Sequence, residues 1–223
     1  MSESESELLP IFPLSNVVLF PRVKTPLHLF EPRYRQLARD VLQGDRRIGM
    51  VAVRPEHVGE MPGDPPIYPV GCAGVITESH RMPDGRYNIV LLGEHRVRIV
   101  AEEPRVDPRL YRVARVVRLE DPYPEAERAR VARLRAQIAA DIGVLIRRAQ
   151  PDRSHSFDPE LFAGVDDETF VNAVANAFAF PAEEKQALIE AEDVPERYAR
   201  LASALSFQRL ELESASGGRR HLH

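Results

Sequence analysis

Lysine is nearly absent from this chain. Of 30 basic residues only Lys24 and Lys185 are lysine, and the rest are arginine. A phosphate-binding loop of the form G-x-x-x-x-G-K-[ST] needs a glycine directly before its lysine, because clustered backbone N–H groups and the ammonium must meet the phosphates together. Val23 precedes Lys24 and Glu184 precedes Lys185, so that loop is excluded. Cysteine occurs once, as Cys72, which rules out an intramolecular disulfide and fits a reducing compartment. In VGCAGVI it reads as a small buried hydrophobe rather than half of a thiol–imidazole pair with His57 or His80. His28, His80 and His95 stand alone without ligand spacing, and His221 and His223 fall in a polar tail, so neither a metal site nor a cofactor is expected. Glu94-His95 reads as a turn pair, not an acid/base pair. No apolar run approaches the roughly 18 residues that cross a bilayer. The opening MSESESEL lacks both the basic and the apolar regions of a signal peptide. The expectation is a cytoplasmic protein with a short disordered acidic head and a disordered tail over 214–223, SASGGRRHLH.

What is present is the composition of a globular protein. The chain has 223 residues, 43% hydrophobic and 29% charged, enough for one large domain or two small ones with a real core. A net charge of −4 gives no global pull towards nucleic acid or an anionic membrane.

Read in order, Leu9 to Leu14 and Val17 to Phe20 are short apolar runs broken by proline, predicting edge strands or extended lead-in segments. Pro26 to Phe30 is a third run. Pro32 then opens a helical pattern in which Tyr34, Leu37, Ala38, Val41 and Leu42 recur at three- and four-residue spacing. Ile48 to Val53 predicts a strand, and Arg54 to Pro66 a long loop rich in Pro and Gly. Ile67 to Met82 predicts a strand in which Gly71 and Gly74 mark a bulge or corner. Pro83-Asp84-Gly85 is a turn that pairs it with Tyr87 to Leu92. After Gly93, Val97 and Ile99 alternate with Arg96 and Arg98, one face buried and one polar; Tyr111 to Leu119 repeats the pattern with Val113, Arg115 and Val117 facing one way. Short strands joined by turns argue for an antiparallel barrel.

At EDPYPE, 120–125, the periodicity becomes helical. Val131, Leu134, Ile138, Ile142 and Leu145 stripe one amphipathic helix over about 124–148. Asp158-Pro159 reads as a cap and first-turn proline. Phe170, Val174 and Phe178 stripe a helix ended by Pro181, and Glu183 to Ala191 forms the next. Asp193 and Glu196 predict a capping box for a last helix facing inwards with Tyr198, Leu201 and Leu205. The predicted organisation is therefore α+β: a barrel over 1–121, a helical subdomain over 122–213 and the tail over 214–223.

Several phrases carry a resemblance. LPIFPLSNVVLFP and PLHLFEPRYRQL resemble the opening of the Lon amino-terminal domain, LLGEHRVRIV resembles its glycine-then-arginine strand, and FAFPAEEKQALIEAEDVPERYARLASAL resembles its carboxy-terminal helical part. Together they cover nearly all of 9–210. The resemblance implies a PUA-like antiparallel β-barrel followed by a carboxy-terminal helical bundle, and a substrate-recognition role. The family's peptidase uses a Ser and Lys pair in a separate domain that nothing here matches, so the expectation is a stand-alone recognition domain and not an enzyme.

Binding is what remains. FEPRY places Phe30, Glu31, Arg33 and Tyr34 at a strand-to-helix joint, and aromatic and arginine side chains are favoured at recognition hot spots. Two readings stay open. Either these residues meet a partner, or Phe30 and Tyr34 are core while Glu31 or Arg33 ties the helix to the sheet. Arg96 likewise either bridges within the barrel or presents to a ligand. The expected partners are unfolded or peptide segments of other proteins, recognised in part by strand addition, with a protease or chaperone acting alongside. RNA is the alternative, since PUA-like barrels elsewhere bind structured RNA. The net charge and the lack of a basic run with interleaved aromatics weigh against it.

Overall fold

The computed structural model describes residues 6–149 and 164–217. The described residues form six strands: β1 (Ser6–Leu14), β2 (Lys24–Leu29), β3 (Arg47–Ala52), β4 (Val70–Arg81), β5 (Tyr87–Glu102) and β6 (Arg112–Arg118). They form one sheet in the order β2-β5-β4-β3-β1-β6. β6 also pairs with β5, so β5, β4, β3, β1 and β6 make a closed ring of pairings, with β2 hydrogen-bonded to β5 outside it. With five α-helices among the described residues the fold is mixed α+β. The all-antiparallel expectation is corrected at one pair, because β1 runs parallel to β3. Parallel neighbours need a long crossover, and β2 followed by α1 (Pro32–Val41) provides it.

β1 is not an edge strand. Its first part pairs with β6, Pro10 opposite Val113, and its last part pairs with β3, Pro13 opposite Val51. Each proline therefore lies beside one neighbour rather than two, and its missing N–H interrupts at most one ladder. Leu9 and Ile11 project into a core with Val51, Ala73, Val97, Ala114 and Val116. On β6 the buried row is Arg112, Ala114 and Val116, while Arg115 on the other row is exposed. Val17–Phe20 joins no ladder, yet Val18, Leu19 and Phe20 are buried. β5 runs through Gly93 without a break, and a Cβ there would overlap the Phe20 carbonyl oxygen, so glycine lets that segment approach.

The chain divides into two compact units: Met1–Glu120 with Asn172–Glu190, and Asp121–Val171 with Ala191–His223. The predicted contiguous helical region, 122–213, is thus split, and 172–190 belongs with the sheet. The reason is polar as well as apolar. Asn172 Nδ2 donates to the Pro21 carbonyl (3.2 Å) and Gln186 Nε2 to the Val70 carbonyl (3.0 Å), and both side chains are buried. Asn172 lies in α3 (Asp167–Ala177) and Gln186 in α4 (Ala182–Ile189).

In the second unit α2 (Arg128–Ala149) packs along α5 (Val194–Gly217). Val131, Ile138, Ile142 and Leu145 are buried on α2, and Tyr198, Leu201 and Leu205 on α5, as their spacing predicts. The Tyr198 hydroxyl donates to the Asp167 carbonyl (2.9 Å), Arg135 Nη1 to the Asp167 carboxylate (2.7 Å), and buried Arg197 pairs with Asp121. Residues 214–217 are helical rather than a disordered tail, and Ser6 to Leu8 of the expected acidic head are strand. The predicted cap at Asp158-Pro159, the tail histidines His221 and His223, and the first five residues lie outside the described residues.

Candidate functional site

The joint between β2 and α1 is built by local chemistry. Pro32 occupies the first turn of α1, where its missing N–H costs nothing, and Glu31 is the N-cap without a side-chain capping bond. The Glu31 carboxylate is instead turned to Arg33, whose Nε donates to it at 2.9 Å. Arg33 also donates through Nη2 to the Met61 carbonyl (2.5 Å) and through Nη1 to the Gly63 carbonyl (3.0 Å). One guanidinium thus clamps the 54–66 loop, which includes a 3-10 turn over Pro55–Glu60, onto the start of α1.

Tyr34 lies beneath that clamp. It is buried, its hydroxyl donates to the Pro13 carbonyl (3.1 Å), and its ring meets Phe12 edge-on at 4.4 Å. Burial pushes the phenol up to about 12, so it stays a neutral donor. Phe30 is 58% exposed and stacked on His28 at 6.0 Å. Of the predicted site residues, Phe30, Glu31 and Arg33 therefore meet at an accessible joint, and Tyr34 supports them from the core. Arg96 is elsewhere and buried: Nη1 donates to the Ile189 carbonyl (2.9 Å) and Nη2 to the Glu120 carbonyl (2.7 Å). It ties chain segments together and does not present to a ligand, because its donors are spent on carbonyls inside the fold.

A third segment, residues 103–111, was not among the predicted site residues. Gln36 on α1 holds it from both sides, donating to the Pro108 carbonyl (2.9 Å) and accepting from the Leu110 N–H (2.6 Å). Arg105 pairs with Asp64 of the 54–66 loop. Arg112 donates to the Pro65 carbonyl (2.9 Å) and grips Glu102 through two nitrogens at 2.7 and 2.5 Å. The signal in the sequence was Val106 and Leu110 standing in the proline-punctuated, polar stretch EPRVDPRLY without any strand or helix period.

These bonds hold the three segments in one cluster, and each segment carries at least one exposed large hydrophobic. Phe30, Val58, Val106 and Leu110 are all exposed large hydrophobics. The enclosed slot beneath, lined by Arg33, Tyr34, Met61, Pro65 and Arg112, measures about 10 Å³, room for no more than a water. Among the described residues no group of His, Cys, Asp and Glu is placed to hold a metal ion, and Cys72 is buried.

The family model for the ATP-dependent protease La (LON) substrate-binding domain matches residues 8–206. The chain belongs to this family. It is 28% identical over 196 residues to a Lon protease of Cytophaga hutchinsonii, covering 87% of this chain and 23% of that protein. It is 26% identical over 220 residues to Lon protease 1 of Thermus thermophilus, covering 95% and 26%. The chain thus spans about a quarter of the length of the curated relatives it matches. The amino-terminal domain of the Mycobacterium avium complex Lon protease shares the fold, with a TM-score of 0.68, 15% identity and coverage of 90% of this chain and 98% of that one. A Lon N-terminal domain protein from Xanthomonas campestris does so with a TM-score of 0.57 and 21% identity, over the same shares. The matching part of Lon is the substrate-binding one, not the part that cuts. No helix among the described residues is long and apolar enough to cross a membrane.

Proposed function

We propose that this chain is a non-catalytic module that recognises unfolded or hydrophobic protein segments, in service of proteolysis or quality control by a separate protease or chaperone in the cytoplasm. The closed ring of strands is read as the PUA-like barrel of the Lon amino-terminal domain, with a helical bundle after it. The observation that carries the reading is the loop cluster: Phe30, Val58, Val106 and Leu110 are displayed on backbone that Arg33, Gln36, Arg105 and Arg112 hold in place. A fixed backbone lowers the ordering cost of binding, and exposed apolar side chains supply contact area that an unfolded segment can match. Glu31 and Arg33 set the joint, Phe30 makes contact, and Tyr34 keeps α1 in register beneath them.

The affinity expected of such a small transient surface is about micromolar. An apolar contact changes little between low and moderate salt, whereas phosphate contacts to RNA weaken steeply. The test is binding of a fluorescent unfolded polypeptide to the full chain and to Phe30→Ser and Leu110→Ser, each first shown to melt as the parent does. Salt-insensitive binding that weakens at least severalfold in both variants is the expected result. Undiminished binding in both, or none to the parent, removes the cluster as the recognition surface.

A further inference from the structure

The 3.6-residue period of α1 places Pro32, Arg35, Gln36 and Arg39 on one outward face, while Tyr34, Leu37, Ala38 and Val41 face inwards. That outward face forms one wall of an open groove of about 300 Å³ whose other wall is Arg81, Gly85 and Tyr87 of the β4–β5 hairpin. Among the described residues three guanidinium groups line it and no carboxylate does. The nearby acids are already engaged. Asp84 accepts from Arg86 Nε at 2.6 Å, and Asp40 accepts from Arg39 Nε at 3.1 Å.

All three arginines keep donors for something else, Arg39 engaging only its Nε, with Asp40. Arg35 donates through Nε to the Gly85 carbonyl (2.9 Å), which fixes the guanidinium and leaves its terminal nitrogens without a bond to a described residue. The turn is shaped for this: Gly85 has φ +82°, and a Cβ there would overlap Arg35 Nη2. The Arg81 side chain is exposed and makes no hydrogen bond or ion pair to a described residue.

From this geometry we infer that the groove binds the carboxylates of an acidic protein segment whose apolar neighbour rests on Leu110. Guanidinium forks match carboxylate geometry through paired donors. Leu110 lines both this groove and the loop cluster, so one segment reaches both. A nucleic acid fits less well. The chain carries a net charge of −4, and the one aromatic lining the groove, Tyr87, is buried and offers no ring face for a base. This assignment rests on the substrate-recognition reading and narrows its substrate class to segments with apolar and acidic residues side by side.

The test uses the full chain and two fluorescein-labelled peptides identical except for the core, Leu-Phe-Glu-Glu in one and Leu-Phe-Gln-Gln in the other. The expected result is about tenfold tighter binding of the Glu peptide, the size of one charge-assisted contact. Arg81→Glu and Arg39→Glu each erase that preference. Arg133→Glu, an equal charge change at an exposed site on α2, keeps the preference. Equal affinity for the two peptides, a preference that survives both groove variants, or a preference lost equally in Arg133→Glu overturns the groove assignment alone. Failure of both peptides to bind overturns it together with the substrate-recognition reading. An RNA hairpin that binds more tightly than the Glu peptide and is lost in the same groove variants overturns the choice of a protein segment.

Discussion

Tyr34 separates support from contact at the scale of one side chain. Its hydroxyl is satisfied by Pro13 and its ring is buried against Phe12, so Tyr34→Phe keeps the packing and removes one hydrogen bond. The expected loss is about 1 kcal/mol in urea unfolding with unchanged peptide affinity; a loss of affinity at unchanged stability would place Tyr34 on the contact surface instead. His95 gives a pH dependence. Burial, with Arg118 and Arg47 adding to it against Glu94 and Glu7, holds its imidazole below the ordinary 6.5. The unfolded chain then binds more protons than the folded one below that value. The stability contributed by neutral His95 is complete above pH 6.5 and is lost as pH falls from there through the folded-state value. Comparing urea midpoints near pH 7.5 and about pH 5.5, His95→Gln should fall less on acidification than the parent does. Equal losses would assign the pH effect to other groups.

Among the elements, α5 shows how a short signal sets a helix start. Asp193 Oδ1 accepts from the Glu196 N–H at 2.7 Å, and Glu196 Oε2 reaches back to the Glu192 N–H at 2.5 Å. The reciprocal bond is displaced by one residue from the Asp193 N–H that the capping box uses, but two otherwise unpaired donors are still satisfied. Asp193→Ala is expected to cost about 1 kcal/mol of stability, read by chemical denaturation, and Asp193→Ser to recover most of it. An Ala variant as stable as the parent would mean that packing of Tyr198, Leu201 and Leu205 alone sets where the helix begins.

For the whole molecule, the first unit is completed from far along the chain. Residues 172–190 supply Gln186 to the Val70 carbonyl and the Ile189 carbonyl to Arg96, and they bury Val174, Ala175, Phe180, Leu188 and Ile189. A fragment of residues 1–121 keeps every strand but leaves Arg96 short of a buried acceptor, a penalty of about 1–3 kcal/mol before any apolar loss. Its two-dimensional NMR spectrum is expected to be poorly dispersed beside that of the full chain. A well-dispersed spectrum with a cooperative melt would show that the strands fold without their distant partner.

Some of this was written in the sequence itself. Pro32 at the first turn of α1, the Pro83-Asp84-Gly85 reversal, the Asp193 cap and the Val131 to Leu145 stripe each follow from backbone freedom or side-chain period within a few residues, which is information a sequence carries locally. The FEPRY joint was legible in the same way, as a strand pattern meeting a helix pattern. The tertiary structure alone decided that β1 lies inside the sheet, that Tyr34 is buried while Phe30 is exposed, and that residues 103–111 are tied to α1 and the 54–66 loop. Pairing partners and burial are set by groups distant in the chain, and local propensity does not encode them. Arg96 shows why. In LLGEHRVRIV it alternates like a solvent-facing arginine, and only the carbonyl of Ile189, 93 positions later, turns it into a buried tie.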